Sequence, residues 1–331
     1  MNFFKRLPLP VYGVMVALAG LGNLMADRSM AIKYFCGACA LLVGILLVIK
    51  LFLCRDIVVN DLQNPVIRSV SPTFGMACIM LSTYLAQGHR QIGIVLWYLA
   101  TAFTAFIILS FAGKFLFPLR IMTVFPTWFA ASAGMIVASV TSGFYGQALT
   151  GKICFYIGFA ANVLLLPIVA YRMFKVRQVP VFAKPTYYIF GAPFSLSLAG
   201  YIAAFGADAR KEMVILLLCI AVPIMIASLI ALPFVMQKAF SPAMAGYAFT
   251  STIMALAAKI AIGYVTNVYQ WIIPGGIIII RVMEVFAFCM VYYTLIRFLG
   301  FAFKTEAVEV KKAVSNDSQY DRSSIKEQSI K

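Results

Sequence analysis

The sequence is poor in charge, poorer still in acids, and almost without histidine. Only 11% of its 331 residues are Asp, Glu, Lys or Arg; acids number 11 against 27 bases, and there is 1 histidine, His89. So little charge excludes a soluble globular chain, because 63% hydrophobic residues are too many to hide from water. A lone histidine, placed in an outer turn, leaves no His-based metal site or catalytic triad to be built. No Gly-rich phosphate loop and no pair of acids stands within an apolar run, so neither an enzyme nor a cofactor is expected. A second CxxC to partner Cys36-x-x-Cys39 is missing too, and the 7 cysteines sit nearly all within apolar runs, as small hydrophobes do. The net charge of +16 does not point to nucleic acid, because the bases lie in short loops between apolar runs and not on one soluble face. The first apolar run lacks a convincing small-residue cleavage site, so it reads as a retained helix.

What the chain does have is apolar runs of membrane-spanning length. Ten are expected, at about 8–23, 31–53, 71–87, 92–112, 125–144, 153–171, 185–205, 213–236, 242–265 and 271–295. The fold class is therefore an all-α polytopic membrane protein, with a ten-helix transmembrane domain over 1–302. The remainder, 303–331, is polar, with Ser315, Ser318, Ser323 and Ser324 among charges, and reads as a disordered tail.

Ten spans put both termini on one side. The ends of even spans and the N-terminus carry Lys5, Arg6, Lys50, Arg55, Arg68, Lys114, Arg120, Arg172, Lys175, Arg177, Lys184 and Lys238. The other side carries Arg28, Lys33, Arg90, Lys152, Arg210 and Lys211. The basic excess marks the cytoplasmic side, so both termini are expected in the cytoplasm of a protein in the cell membrane.

A helix opening recurs. Pro72-Thr73-Phe74, Pro126-Thr127-Trp128 and Pro185-Thr186-Tyr187 each begin an odd span, with looser copies at Pro10-Val11-Tyr12 and Pro242-Ala243-Met244. Recurrence at a period of roughly sixty residues points to a repeated unit. Here the unit is a helical hairpin, made five times. Two spans separate successive copies, so the odd helices all point the same way. That is a parallel repeat and not the inverted one of many rocking transporters. The odd spans are also rich in small residues, such as Ala130-Ala131-Ser132-Ala133-Gly134. Small residues let helices approach closely, and around a pathway they leave room and hydroxyls for a solute. An inner ring of five odd helices around a central pore follows, with Ser139, Pro193, Ser195 and Thr252 as pore-lining candidates. Tight helix packing without a pore accounts for any single helix equally well. Pro193 lies well inside span seven and is expected to break it, beside the pathway.

Charges inside spans are rare and costly. Lys259 falls in span nine, and Arg281 and Glu284 in span ten, three residues apart and on one helix face. Either Lys259 and Arg281 form a net positive, anion-attracting site, or both serve a structural ion pair with Glu284. Both readings stand at this level.

The five hairpins, the Pro-Thr-aromatic openings and Gly191-Ala192-Pro193-Phe194 together resemble the tellurite-resistance/dicarboxylate transporter family, which includes TehA-like proteins and plant slow anion channels. The resemblance implies movement of small inorganic or organic anions through a pore lined by the odd helices. It also implies a homotrimer of separate pores in the lipid bilayer. The function expected is a passive anion channel or facilitator; the alternative is a proton-coupled C4-dicarboxylate (malate-type) or sulfite transporter. Glu284 is the one carboxylate within an expected span, which favours the passive reading. In the family a phenylalanine of span nine plugs the pore. Aligning Tyr247-Ala248-Phe249-Thr250-Ser251-Thr252 by its aromatic and hydroxyl pattern puts Ser251 at the plug, so that the pore is leakier or is closed by another aromatic such as Phe194. A slip of two residues makes Phe249 the plug. The two lie roughly 200° apart on a helix and cannot both face the pathway; the hydroxyl-rich run favours Ser251.

Overall fold

A computed structural model describes residues 2–177 and 179–303, so the tail expected over 303–331 lies, but for its first residue, outside the described residues. Ten apolar helices follow one another: α1 (Leu9–Leu24), α2 (Met30–Leu53), α3 (Pro65–Leu85), α4 (Arg90–Leu116), α5 (Pro126–Tyr145), α6 (Ala148–Val176), α7 (Val181–Asp208), α8 (Lys211–Val235), α9 (Pro242–Val268) and α10 (Gly276–Phe303). Among the described residues, nine of these helices are long and apolar enough to cross a membrane, and α1 is a shorter apolar helix. The described residues thus have the helices of a multi-pass, all-α membrane protein.

The odd helices form a closed ring. In order around it, α1 packs on α3, α3 on α5, α5 on α7, α7 on α9, and α9 back on α1. Each even helix leans on the outside of its hairpin partner, and α10 also touches α1. Burial follows the same division: 78% of the apolar stretch of α5 is buried within the protein, against 22% of that of α8. Bulky side chains of the even helices, such as Phe52 and Ile230, are turned outward toward lipid.

Local chemistry sets the helix starts. Pro10, Pro126 and Pro242 stand in tight 3-10 opening turns, whereas Pro72 begins the second helical segment of α3 and Pro185 lies inside the 3-10 stretch Val181–Gly191. In an opening turn the missing N–H has no partner to lose. Ser29, Asn64 and Ser241 cap α2, α3 and α9 by accepting from Ile32, Val66 and Ala243 backbone N–H groups. Gly146 closes α5 in the left-handed region, φ 70°, and lets α6 turn back at once. The stretch between the expected spans 31–53 and 71–87 is largely helical: Arg55–Asp61 forms a short helix, and Pro65–Val70 extends α3 by more than a turn.

Small residues serve the ring. A Cβ on Gly200 of α7 would stand 2.6 Å from Ile136 Cγ2 of α5, and one on Gly13 of α1 would stand 3.0 Å from Ala245 Cβ of α9. Neither pair of helices would approach so closely with a larger residue. The short helix Asn2–Arg6 reaches the end of α10, where the Phe3 and Phe303 rings lie 4.9 Å apart. That end of the bundle is called the terminal face below, and the opposite end the distal face.

Candidate functional site

Three cavities follow one another along the axis of the ring. The first, near the terminal face, has about 20 Å³ and is lined from all five odd helices, including Gly13, Thr73, Ala130, Ile189 and Phe249. The second, deeper, has about 10 Å³ between Ala17, Met80, Val137, Leu196, Phe249, Thr252, Ile253 and Leu256. Again every odd helix contributes. The third is a vestibule of about 520 Å³ at the distal face, bounded by Asn23, Ile202, Leu256, Lys259, Gly263, Tyr264 and Asn267 among others. Phe249 belongs to the first and second cavities, and Leu256 to the second and third. These two side chains partition the axis.

Cavities of that size hold about one water each, so the axis is closed to a hydrated ion in this conformation. Its wall is apolar, unlike the hydroxyl-lined path expected. The hydroxyls have other partners. Ser139 donates to the Gly200 carbonyl across the α5–α7 seam at 3.0 Å, and Ser195 donates back to the Gly191 carbonyl at 2.6 Å. Among the four pore-lining candidates, Thr252 alone borders an axial cavity. Helix seams and a pore lining draw on the same small residues, and the contacts here are those of seams.

α7 is broken where Pro193 suggested. Val181–Gly191 is a 3-10 stretch, and the α-helical part begins at Ala192, with Pro193 in its first turn. The backbone there is served by protein. Asn162 of α6 donates to the Pro193 carbonyl at 3.1 Å and to Ser197 Oγ at 3.1 Å, and Ser197 also donates to the Pro193 carbonyl. The Pro193 carbonyl is thus tied to α6, and Pro193 borders none of the three axial cavities. Nor does Phe194, packed with Phe155, Leu198 and Tyr201 in a separate apolar cluster.

On α9 the axial residues Gly246, Phe249, Ile253, Leu256 and Ile260 recur at three and four residues, one face of a helix. Ser251 lies on another face. Its Oγ is 2.9 Å from the Tyr188 hydroxyl of α7, and it is fully buried. The register that aimed Ser251 at the axis thus differs from the one observed, in which Phe249 points there. A serine between two helices gains a partner; a phenylalanine in a hydrogen-bonded seam gains none.

The three in-span charges do meet, at the distal mouth, and two loop residues join them. Glu284, 2% exposed, accepts from Lys259 at 2.9 Å, from Arg281 at 3.1 Å and from Arg28 at 3.3 Å. Lys259 also reaches Asp27 at 2.5 Å and the Leu24 carbonyl at 2.6 Å. The network holds three bases and two acids, and Lys259 is the member that borders the vestibule. Partial burial pushes the Asp27 carboxyl up, but the hydrogen bond and charge of Lys259, with Arg28, outweigh it and hold the carboxyl below the usual aspartate range. Asp27 and Arg28 escaped sequence reading because they sit in an ordinary-looking loop; only the fold brings them to Glu284.

Residues 6–299 match the sequence model of the family described as voltage-dependent anion channel (SLAC1). No curated protein matches the chain.

Proposed function

The chain belongs to the voltage-dependent anion channel family, and we propose that small anions pass down the axis of its five odd helices, with Phe249 as the gate. Anion movement across the bilayer, by a channel or facilitator, is the family's function. The observation that carries the gate is the position of Phe249 between two axial cavities, each lined by all five odd helices. Swinging that ring aside merges the cavities without unpacking any helix. Leu256, two turns or about 10 Å further along α9, forms the second constriction.

The distal network has two roles in this reading. The fully engaged Glu284 holds α9, α10 and the α1–α2 loop together, as a buried acid with three cationic partners must. The surplus base leaves the mouth positive, and Lys259 presents that charge to an entering anion. Glu284, the one carboxylate within an expected span, is committed to this network, which supports passive conduction over proton-coupled transport of dicarboxylate or sulfite. The basic excess near the terminal face supports cytoplasmic termini in the cell membrane. Assembly into a homotrimer with one pathway per chain belongs to the same proposal and rests on resemblance.

The test is flux from liposomes holding chloride, nitrate, malate or sulfite, with voltage and pH gradients imposed separately. Voltage-driven anion flux without proton movement supports the proposal. Saturable flux that needs a pH gradient overturns it.

A further inference from the structure

A groove outside the ring has the shape and polarity of a lipid site. It occupies about 300 Å³ among α1, α2, α3 and α4 near the terminal face. Leu47 and Leu51 of α2, Phe74 of α3 and Phe106 of α4 form much of its apolar wall. Leu51 is 49% exposed and Phe106 66%, so the groove opens sideways, toward the acyl chains. Its polar end holds Arg68 and Ser110. Arg68 uses one terminal nitrogen, Nη2, to donate to Ser110 Oγ at 2.7 Å and to the Ser110 carbonyl at 3.3 Å. The guanidinium is half-buried and tethered, and among the described residues its Nε and Nη1 make no hydrogen bond.

The polarity runs in the direction a phospholipid requires. Ser110 lies near the terminal end of α4, and the apolar wall extends from it toward Phe103, seven residues or about 10 Å deeper in the membrane. Charge is thus at headgroup depth and hydrocarbon below it. Lys114, one turn beyond Ser110, adds a second base at the same level and bonds Gln63. An acid, Asp61, lies within electrostatic reach of the groove residue Tyr12 and of buried Lys50. A guanidinium fork suits a phosphate's oxygens.

We propose that the groove binds an anionic phospholipid of the terminal-face leaflet, one acyl chain against Leu47, Leu51 and Phe106 and the phosphate on Arg68. The site lies on the first turns of α3, whose other face, through Val66, Val70 and Thr73, lines the first axial cavity. Bound lipid therefore braces a wall of the pathway.

The full chain in detergent is heated with dioleoylphosphatidylglycerol or with dioleoylphosphatidylcholine. The glycerol lipid is expected to raise the unfolding midpoint by about 4 °C more than the choline lipid. Arg68→Gln should remove that difference. Ile107→Trp, which fills the groove and leaves Arg68 in place, should remove the stabilisation by either lipid, so a folding defect in the first variant does not decide the matter. Equal shifts with the two lipids in wild type, or a full difference retained in Ile107→Trp, overturns the proposal. So does protection of the groove from lipid by a second copy of the chain, seen as a stable oligomer that Ile107→Trp dissociates.

Discussion

The hydroxyls of Ser251 and Tyr188 lie 2.9 Å apart, and that bond fixes which face of α9 looks down the axis. Residues two apart on a helix point about 200° away from each other. Seating Ser251 on α7 therefore turns Phe249 inward. Replacing Tyr188 by Phe removes the bond at roughly constant volume and leaves Ser251 buried without it. The expected cost is about 1 kcal/mol of stability, read as a lower unfolding midpoint, with the pathway still closed.

Accessibility separates axis from seam. In a background without the native cysteines, cysteine at Leu256 should react with a small water-soluble thiol reagent added at the distal face, and cysteine at Thr252 more slowly. Cysteine at Ser139 or Ser195 should stay unreactive, because both positions are buried and border none of the axial cavities. Fast labelling at Ser139 would mean that hydroxyls do line an open path.

Lys259→Gln takes the vestibule network from three bases and two acids to two and two. Anion flux should fall about threefold, the factor given by roughly 0.6 kcal/mol at a wet mouth. Raising the salt from 0.1 M to 1 M shortens the screening length from about 10 Å to about 3 Å, so the difference between wild type and variant should shrink. A salt-independent loss, accompanied by poor folded yield, would assign Lys259 to structure alone.

The Asp27 carboxyl titrates below the usual aspartate range. A depressed acid stabilises the folded state at pH above its unfolded value, near 4, and the contribution disappears as pH falls through the lower folded value. Asp27→Asn should therefore lower the unfolding midpoint at pH 7, and the deficit should close as the pH drops below about 4. A deficit that persists unchanged in acid would show that Asp27 contributes through packing and not charge.

Much of this architecture was legible in the sequence, because membranes leave few alternatives. Ten apolar runs, recurring helix openings and small residues on odd spans gave the hairpins and the ring, since backbone in lipid must be satisfied within helices and small residues let those helices pack closely. The depth of Lys259, Arg281 and Glu284 likewise foretold their meeting. Hydroxyls misled: Ser139 and Ser195 fit a pore wall and a helix seam equally well by type, and for Ser139 what decides is the Gly200 carbonyl of α7, which only the fold supplies, while Ser195 is satisfied by the Gly191 carbonyl one turn back. The orientation of α9 was present in the three-and-four spacing of Gly246, Phe249, Ile253, Leu256 and Ile260, but the neighbouring Thr250-Ser251-Thr252 gave a stronger polar signal. Asp27, Arg28 and the Arg68 groove come together over long sequence separations and carry no local mark.

The central claim is that the Phe249 ring closes the axis. It is tested most directly by the anion current of Phe249→Ala in a planar bilayer, beside wild type and Ser251→Ala at matched protein amounts. The current should rise at least about tenfold, the change given by removing some 1.4 kcal/mol of barrier, while Ser251→Ala stays near wild type. An unchanged current in well-folded Phe249→Ala, or a rise confined to Ser251→Ala, would contradict the account and place the gate elsewhere.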